Sequence, residues 1–217
     1  MCGCHNSVTM SQIHDTPSIV YWLGENLYLN ITNRCSNDCY FCFRKYKNGI
    51  GKFNLKLTAE PSTADVVKQT TSLLPKKRWR EVVFCGFGEP LTKLDTVLEV
   101  TRQLKTASTL PIRINTNGQA YLINKDRNVI DELKEAGVDE LSVSLNAHNR
   151  ETYDFVCKPK LENAFESVLK FITKASAHIN TGITTVTIPE VNISEIEVLA
   201  KDLRVKLRVR QYEQFFW

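Results

Sequence analysis

Residues 140–146 read ELSVSLN. Leu141, Val143 and Leu145 alternate with Ser142, Ser144 and Asn146, so a strand here has one apolar and one polar face. The pattern recurs at 111–117 (PIRINTN), where Ile112 and Ile114 alternate with Arg113, Asn115 and Asn117. It recurs again at 203–210 (LRVKLRVR), where Leu203, Val205, Leu207 and Val209 alternate with Arg204, Lys206, Arg208 and Arg210. Strands of a parallel sheet covered by helices on both faces read as nearly continuous apolar runs. Here the apolar faces can meet helices, and the polar faces must point elsewhere. In a barrel that place is the lumen, and a polar lumen is an open cavity rather than a packed core. Arginine in its wall suits a charged, anionic ligand. For 204–210 alone, a solvated edge strand with protective charges explains the pattern equally well. Agreement among three strands favours the cavity.

Working outward, strand patterns fall at 26–31, 81–85, 111–115, 140–145, 181–188 and 204–210. Helical spacing falls between them, at 64–74 with Ser62 or Thr63 as N-cap, 94–105, 128–136 closed by Gly137, 150–157, 162–177 and 194–202. Strands alternating with helices predict an α/β fold with a parallel sheet. A complete eight-stranded barrel needs about 250 residues. Six units predict a partial (βα)6 TIM-like barrel, with an open doubly wound sheet as the rival. Residues 1–24 read as an N-terminal arm and 25–217 as the domain. The arm, the loop 45–60 and the aromatic end Phe215-Phe216-Trp217 are candidates to close the open side.

The chain has 217 residues, 42% hydrophobic and 24% charged, which excludes wholesale disorder and collagen-like repeats. No apolar run approaches the roughly 18 residues that span a bilayer, and the start lacks a secretory pattern. The expected compartment is the cytoplasm, with no membrane association. A net charge of +4 does not indicate a protein that coats nucleic acid. Lys76, Lys77, Arg78 and Arg80 flank Trp79, so a nucleic-acid contact is one reading and a solvated loop the more frequent one.

A reducing compartment disfavours disulfides, and the odd number of cysteines argues against complete pairing. Cys35, Cys39 and Cys42 follow the first strand within eight residues. Three thiolates from one loop suit an iron–sulfur cubane, leaving one iron open to a non-protein ligand. A zinc site completed by Cys85 or a histidine is the alternative. Cys2, Cys4 and His5 form a smaller group on the arm. After the second strand comes Gly86-Phe87-Gly88-Glu89-Pro90. Its glycines let backbone approach a ligand closely, Pro90 ends the strand, and Glu89 can accept hydrogen bonds from a ligand ammonium. Cys157, ending a helix, is read either as a hydrogen-atom donor to a product radical or as a small buried hydrophobe.

The spacing Cys35-x3-Cys39-x-Phe41-Cys42 resembles the signature of the radical S-adenosylmethionine (SAM) superfamily, over about residues 25–210. NLYLNITNRCSNDCYFCFR followed by FCGFGEP is similar, more narrowly, to the small radical SAM proteins associated with TatD-type hydrolases. The resemblance implies a [4Fe–4S] cluster on the three cysteines and SAM on its open iron. It implies that Phe41, Gly86, Gly88, Glu89 and Pro90 lie at the cofactor, with Glu89 near the SAM amino group. Asn117 in the TNG end of the third strand, Ser144 and Asn146 at the fourth, and the backbone at Ile188 are implied as further SAM contacts. It also implies reductive cleavage of SAM to a 5′-deoxyadenosyl radical that takes hydrogen from a small anionic, nucleotide-like substrate. A flavodoxin or ferredoxin would supply the electron, and a TatD-like hydrolase would be an associate. An activase of a glycyl-radical partner and a non-catalytic iron–sulfur or zinc module are the alternatives.

Overall fold

The computed structural model describes residues 15–212. Six parallel strands form one sheet with an added edge: β1 (Val20–Leu23), β2 (Asn26–Leu29), β5 (Glu81–Phe84), β6 (Ile112–Thr116), β7 (Glu140–Ser144), β8 (Asn180–Val186) and β9 (Lys206–Arg210), in that spatial order. Only β1 runs antiparallel, paired with β2. A small hairpin, β3 (Gly49–Ile50) and β4 (Phe53–Asn54), stands outside the sheet.

The sequential order decides between the two rival architectures. A doubly wound sheet reverses its strand order at a switch point. Here each parallel strand is laid beside its predecessor, and right-handed crossovers then put every helix on the same face. The crossover helices are α1 (Thr63–Leu73), α2 (Leu94–Ala107), α3 (Ala120–Ile123), α4 (Val129–Ala136), α5 (Arg150–Cys157), α6 (Ala164–Ser176) and α7 (Ile193–Asp202). The main core lies between them and the sheet, with Leu27, Leu29, Phe84, Ile114, Leu141 and Val143 as its sheet side. The opposite face is the concave interior of a partial barrel.

Local chemistry sets the element ends. The Ser62 hydroxyl accepts from the Asp65 amide at 3.1 Å and starts α1. The Asn149 and Asn192 side chains cap α5 and α7 in the same way. Gly137 ends α4 at φ +100°, a left-handed position that glycine adopts without strain.

One expectation needs correction: Val20–Leu23, placed in the arm by the sequence reading, form the edge strand β1. Loop 45–60 packs on the concave side of the β1–β2 edge, where its hairpin sets Phe53 and Leu55 against Tyr21 in a second small core. The alternation at 203–210 was read correctly from Lys206 onward, but Arg204 sits before β9 in a left-handed turn at φ +54°. Val209 remains 37% exposed, so β9 is both a cavity wall and a solvated edge. Trp79 is buried and its indole donates to the Leu73 carbonyl at 2.9 Å, so it offers no stacking platform for a base. Cys2, Cys4, His5 and Phe215–Trp217 lie outside the described residues. Among the described residues no helix is long and apolar enough to cross a membrane.

Candidate active site

The cysteine loop leaves β2 and runs across the carboxyl end of the sheet, where ligands bind in α/β folds. It has no regular structure beyond one short 3-10 turn, Phe43–Lys45, so side chains must satisfy its backbone. Asn30 donates to the carbonyls of Ser18 (3.0 Å) and Leu55 (2.8 Å) and accepts from the Phe87 amide (3.0 Å). Asn33 clasps both backbone groups of Leu57, at 2.7 and 3.1 Å. Thr32 and Arg34 converge on Glu60, the guanidinium bidentate at 2.9 and 3.1 Å. The hairpin region thus braces one side of the loop.

The other side is braced from far along the chain. Residues 36–40 run antiparallel to 156–160. Lys160 N donates to Ser36 O at 2.8 Å, Asp38 N to Cys157 O at 3.1 Å, and Tyr40 N to Val156 O at 3.2 Å. The Lys160 ammonium caps the Cys35 carbonyl at 3.1 Å. Beneath this track, the Tyr153 hydroxyl accepts from Asn37 (3.2 Å) and Gln119 (3.0 Å), and Gln119 also donates to Asn37 Oδ1 at 2.5 Å. None of this second brace was found from sequence, because nothing local marks Tyr153 or Lys160 as neighbours of a loop more than a hundred residues earlier.

Cys35, Cys39 and Cys42 edge a single cavity of about 220 Å³. Phe41, Gly86, Gly88, Glu89, Asn117, Ser144 and Asn146 line it as well, so the structure brings together most of the residues singled out in the sequence. Among the described residues, no three Cys, His, Asp or Glu side chains converge on one point as a single ion requires. The Arg44 Nε donates to Cys42 Sγ at 3.2 Å, and its guanidinium lies 5.7 Å from the Phe87 ring centre.

The GFGEP turn presses against the cysteine loop. Gly88 N donates to Thr32 O at 2.8 Å and Glu89 N to Arg34 O at 2.7 Å. A Cβ on Gly88 would stand 2.3 Å from Arg34 O, and one on Gly86 2.7 Å from Asn30 Cα. The close approach of protein backbone therefore requires both glycines, which also line the cavity. The Phe87 side chain packs edge-on against Phe43 at the cavity wall, with ring centres 5.8 Å apart.

Glu89 is 3% exposed. One carboxylate oxygen accepts from Leu91 N (3.0 Å) and Thr116 Oγ1 (2.8 Å), the other from Asn117 N (2.6 Å). Burial nonetheless pushes its carboxyl up to about 7. Three of about four lone-pair sites are used, leaving one for a ligand donor. Asn117 is already committed: it donates to Ser36 Oγ at 2.8 Å, reaches Cys35 Sγ at 3.9 Å, and accepts from Gln119 N at 3.0 Å. It ties the third parallel strand to the cysteine loop. Asn146, at φ +56°, keeps a buried Oδ1 with no partner beside the cavity, a position that suits a ligand donor.

Three candidates are not brought to the cavity wall. Cys157 is fully buried in the core behind Cys39, which places it behind the loop instead of facing a substrate. Pro90 is buried at the start of a 3-10 turn, Pro90–Lys93. Both backbone groups of Ile188 are engaged, its N with Val186 O and its O with Val191 N, while Val186 lines the cavity in its place. Arg113, Arg208 and Arg210 line it, as the alternating strands led us to expect, and Cys85 and Thr184 line it without having been assigned to cofactor or substrate. Arg113 is neutralised by a bidentate pair with Glu81 at 2.7 and 2.9 Å.

Residues 29–203 match the Radical SAM superfamily. An uncharacterized protein of Methanocaldococcus jannaschii is 25% identical over 175 residues, covering 81% of this chain and 52% of its own length. A probable GTP 3′,8-cyclase of the same organism is 24% identical over 188 residues, covering 86% and 58%. The chain thus spans a little over half the length of these relatives. The crystal structure titled native anSMEcpe with bound AdoMet superposes with a TM-score of 0.64 at 14% identity, over 85% of this chain and 50% of that one, which shows the shared fold. Because the family model spans most of the chain, from the strand before the CxxxCxxC loop to the helix before the last strand, the chain belongs to the radical SAM superfamily, whose members use a [4Fe–4S] cluster and S-adenosylmethionine.

Proposed function

We propose that Cys35, Cys39 and Cys42 hold the cluster, that SAM lies beside it in the cavity, and that the substrate occupies the lumen below. The observation that carries this reading is the meeting of three thiols, the spare acceptor of Glu89 and the unpartnered Asn146 Oδ1 on one cavity. When bound, the cluster and SAM supply a 5′-deoxyadenosyl radical that takes a hydrogen atom from substrate. The chain's own residues do the rest. Glu89 accepts from the ligand ammonium, Ser144 and Asn146 orient its polar groups, and Phe41 and Phe87 give the cavity apolar wall. Arg44 holds Cys42 Sγ in place by donating to it at 3.2 Å.

The substrate is a small anion, on the grounds of Arg208 and Arg210 in the lumen. A nucleotide-like substrate agrees with relatives named probable GTP 3′,8-cyclase. Enzymes of this superfamily need a reductant, which here is a flavodoxin or ferredoxin. Kinship with the TatD-associated subgroup rests on the NLYLNITNRCSNDCYFCFR and FCGFGEP stretches alone.

Anaerobic reconstitution with iron and sulfide, followed by dithionite and SAM, tests the reading. Release of 5′-deoxyadenosine that Cys39→Ala abolishes is expected. Stoichiometric zinc with no cluster, or release that survives the substitution, overturns it.

A further inference from the structure

A second cavity of about 610 Å³ opens at the amino ends of the strands, opposite the cysteine loop. Arg113, Ser142, Thr184 and Arg208 line both cavities, so the two lie back to back within the barrel and share these residues as a wall. On the β7–β8 side this wall is built of small residues. Ser142 comes from β7, and Gly182 and Thr184 from β8, with Gly182 opposite Lys206 in the sheet register. An ordinary barrel fills this space with branched apolar side chains.

The lower mouth has an excess of positive charge. Its carboxylates, Glu81 and Glu140, both face Arg113, at 2.7 and 3.9 Å. Arg80, Lys206 and Arg208 form no ion pair among the described residues, and all three are exposed. Lys206, Arg208 and Arg210 occupy alternate positions of β9 and so share the inward face. At about 3.3 Å per residue, the step from Lys206 at the lower mouth to Arg210 in the upper cavity is about 13 Å. Three cations around one mouth call for more negative charge than a single carboxylate carries. A phosphate group brings close to two charges and three strong acceptor oxygens.

We propose that the lower mouth is the anion end of a substrate channel, where Arg80, Lys206 and Arg208 hold the phosphates of a phosphorylated small molecule whose reacting end lies about 13 Å away in the upper cavity. This rests on the reading of the upper cavity as the radical site. The basic run at 76–80, of which only Arg80 reaches the mouth, thereby gains a role that Trp79 cannot give it.

Isothermal titration of the reconstituted protein with inorganic tripolyphosphate tests the inference. Wild-type protein is expected to bind at low salt, with Arg80→Gln and Lys206→Gln each weakening binding about tenfold and the double variant more. Lys134→Gln, an exposed lysine of α4 that does not line the mouth, is the control for general charge and leaves binding unchanged. Equal binding by wild type and the double variant, absence of wild-type binding, or displacement of tripolyphosphate by a single-stranded oligonucleotide that binds more tightly would each overturn it. Release of 5′-deoxyadenosine by the wild type, measured without any phosphate ligand, reports separately on the upper cavity, so the two readings fail independently.

Discussion

Replacing Gly88 by alanine adds one methyl group at a tight seam between the GFGEP turn and the cysteine loop. The new Cβ would stand 2.3 Å from Arg34 O, 2.6 Å from Thr32 O and 2.8 Å from Arg34 N. All three are backbone atoms, so no side chain can swing aside. The seam must open, and two hydrogen bonds cross it: Gly88 N to Thr32 O at 2.8 Å and Glu89 N to Arg34 O at 2.7 Å. Their loss costs about 1 kcal/mol each. Residual overpacking adds about 1–3 kcal/mol. The expected destabilisation is therefore about 3–5 kcal/mol, read as a shift in the urea midpoint at unchanged slope. Because Arg34 adjoins Cys35, the variant should also retain less iron after reconstitution. Gly51→Ala is the control. Its Cβ meets nothing within 4 Å, and only the φ of +56° opposes it, at about 1 kcal/mol. A Gly88→Ala loss no larger than that of Gly51→Ala, with full iron content, would refute the claim that backbone crowding fixes these glycines.

Other outcomes follow from the same contacts. Tyr153→Phe removes the acceptor shared by Asn37 and Gln119 and leaves buried donors unmet, so it should cost about 1–3 kcal/mol in urea unfolding. Glu89 is protonated more readily folded, near 7, than unfolded, near 4.5. Between those values the native state binds the extra proton, so stability of the cofactor-free protein is full below about pH 4.5 and falls as pH rises through 7. Glu89→Gln should flatten that slope in urea titrations across pH. Cys85→Ser should leave the cluster's iron content unchanged, since Cys85 lies on the sheet beyond the loop, whereas Cys42→Ser should lower it.

The alternation in β6, β7 and β9 made the open lumen legible, because a strand's faces are fixed by a period of two. The six parallel strands and their helices were legible for the same local reason. The chirality and order of the crossovers, which settle partial barrel against doubly wound sheet, depend on contacts between elements and were not. Within the site, the cysteines, Glu89 and Asn146 stood out because unusual residue types occur where a strand ends. Cys157 did not follow suit. A cysteine ending a helix looks identical in sequence whether it points toward the cavity or away, and the packing of α5 behind the cysteine loop turned it inward. For Gly86 and Gly88 the sequence could not show that the chain itself is a close neighbour, because Asn30, Thr32 and Arg34 reach them only through the fold. Asn37, Gln119 and Tyr153 give no local signal, for their shared hydrogen bonds join three separate elements.

The antiparallel track between 36–40 and 156–160 also sets a schedule. Its contacts join residues 116 and 125 positions apart, Asn37 with Tyr153 and Cys35 with Lys160. During synthesis at about 5–20 residues per second, Cys35 and Cys39 precede their second brace by about 6–25 s. For that interval the thiols are tethered to the nascent chain with only half of their scaffold made. Delivery of iron and sulfur before the fifth helix has docked would meet a loop still free to adopt other shapes, and the same interval exposes the sulfurs to oxidants that the finished fold screens. The cluster proposed for these thiols is therefore expected to load once β7 and α5 are in place.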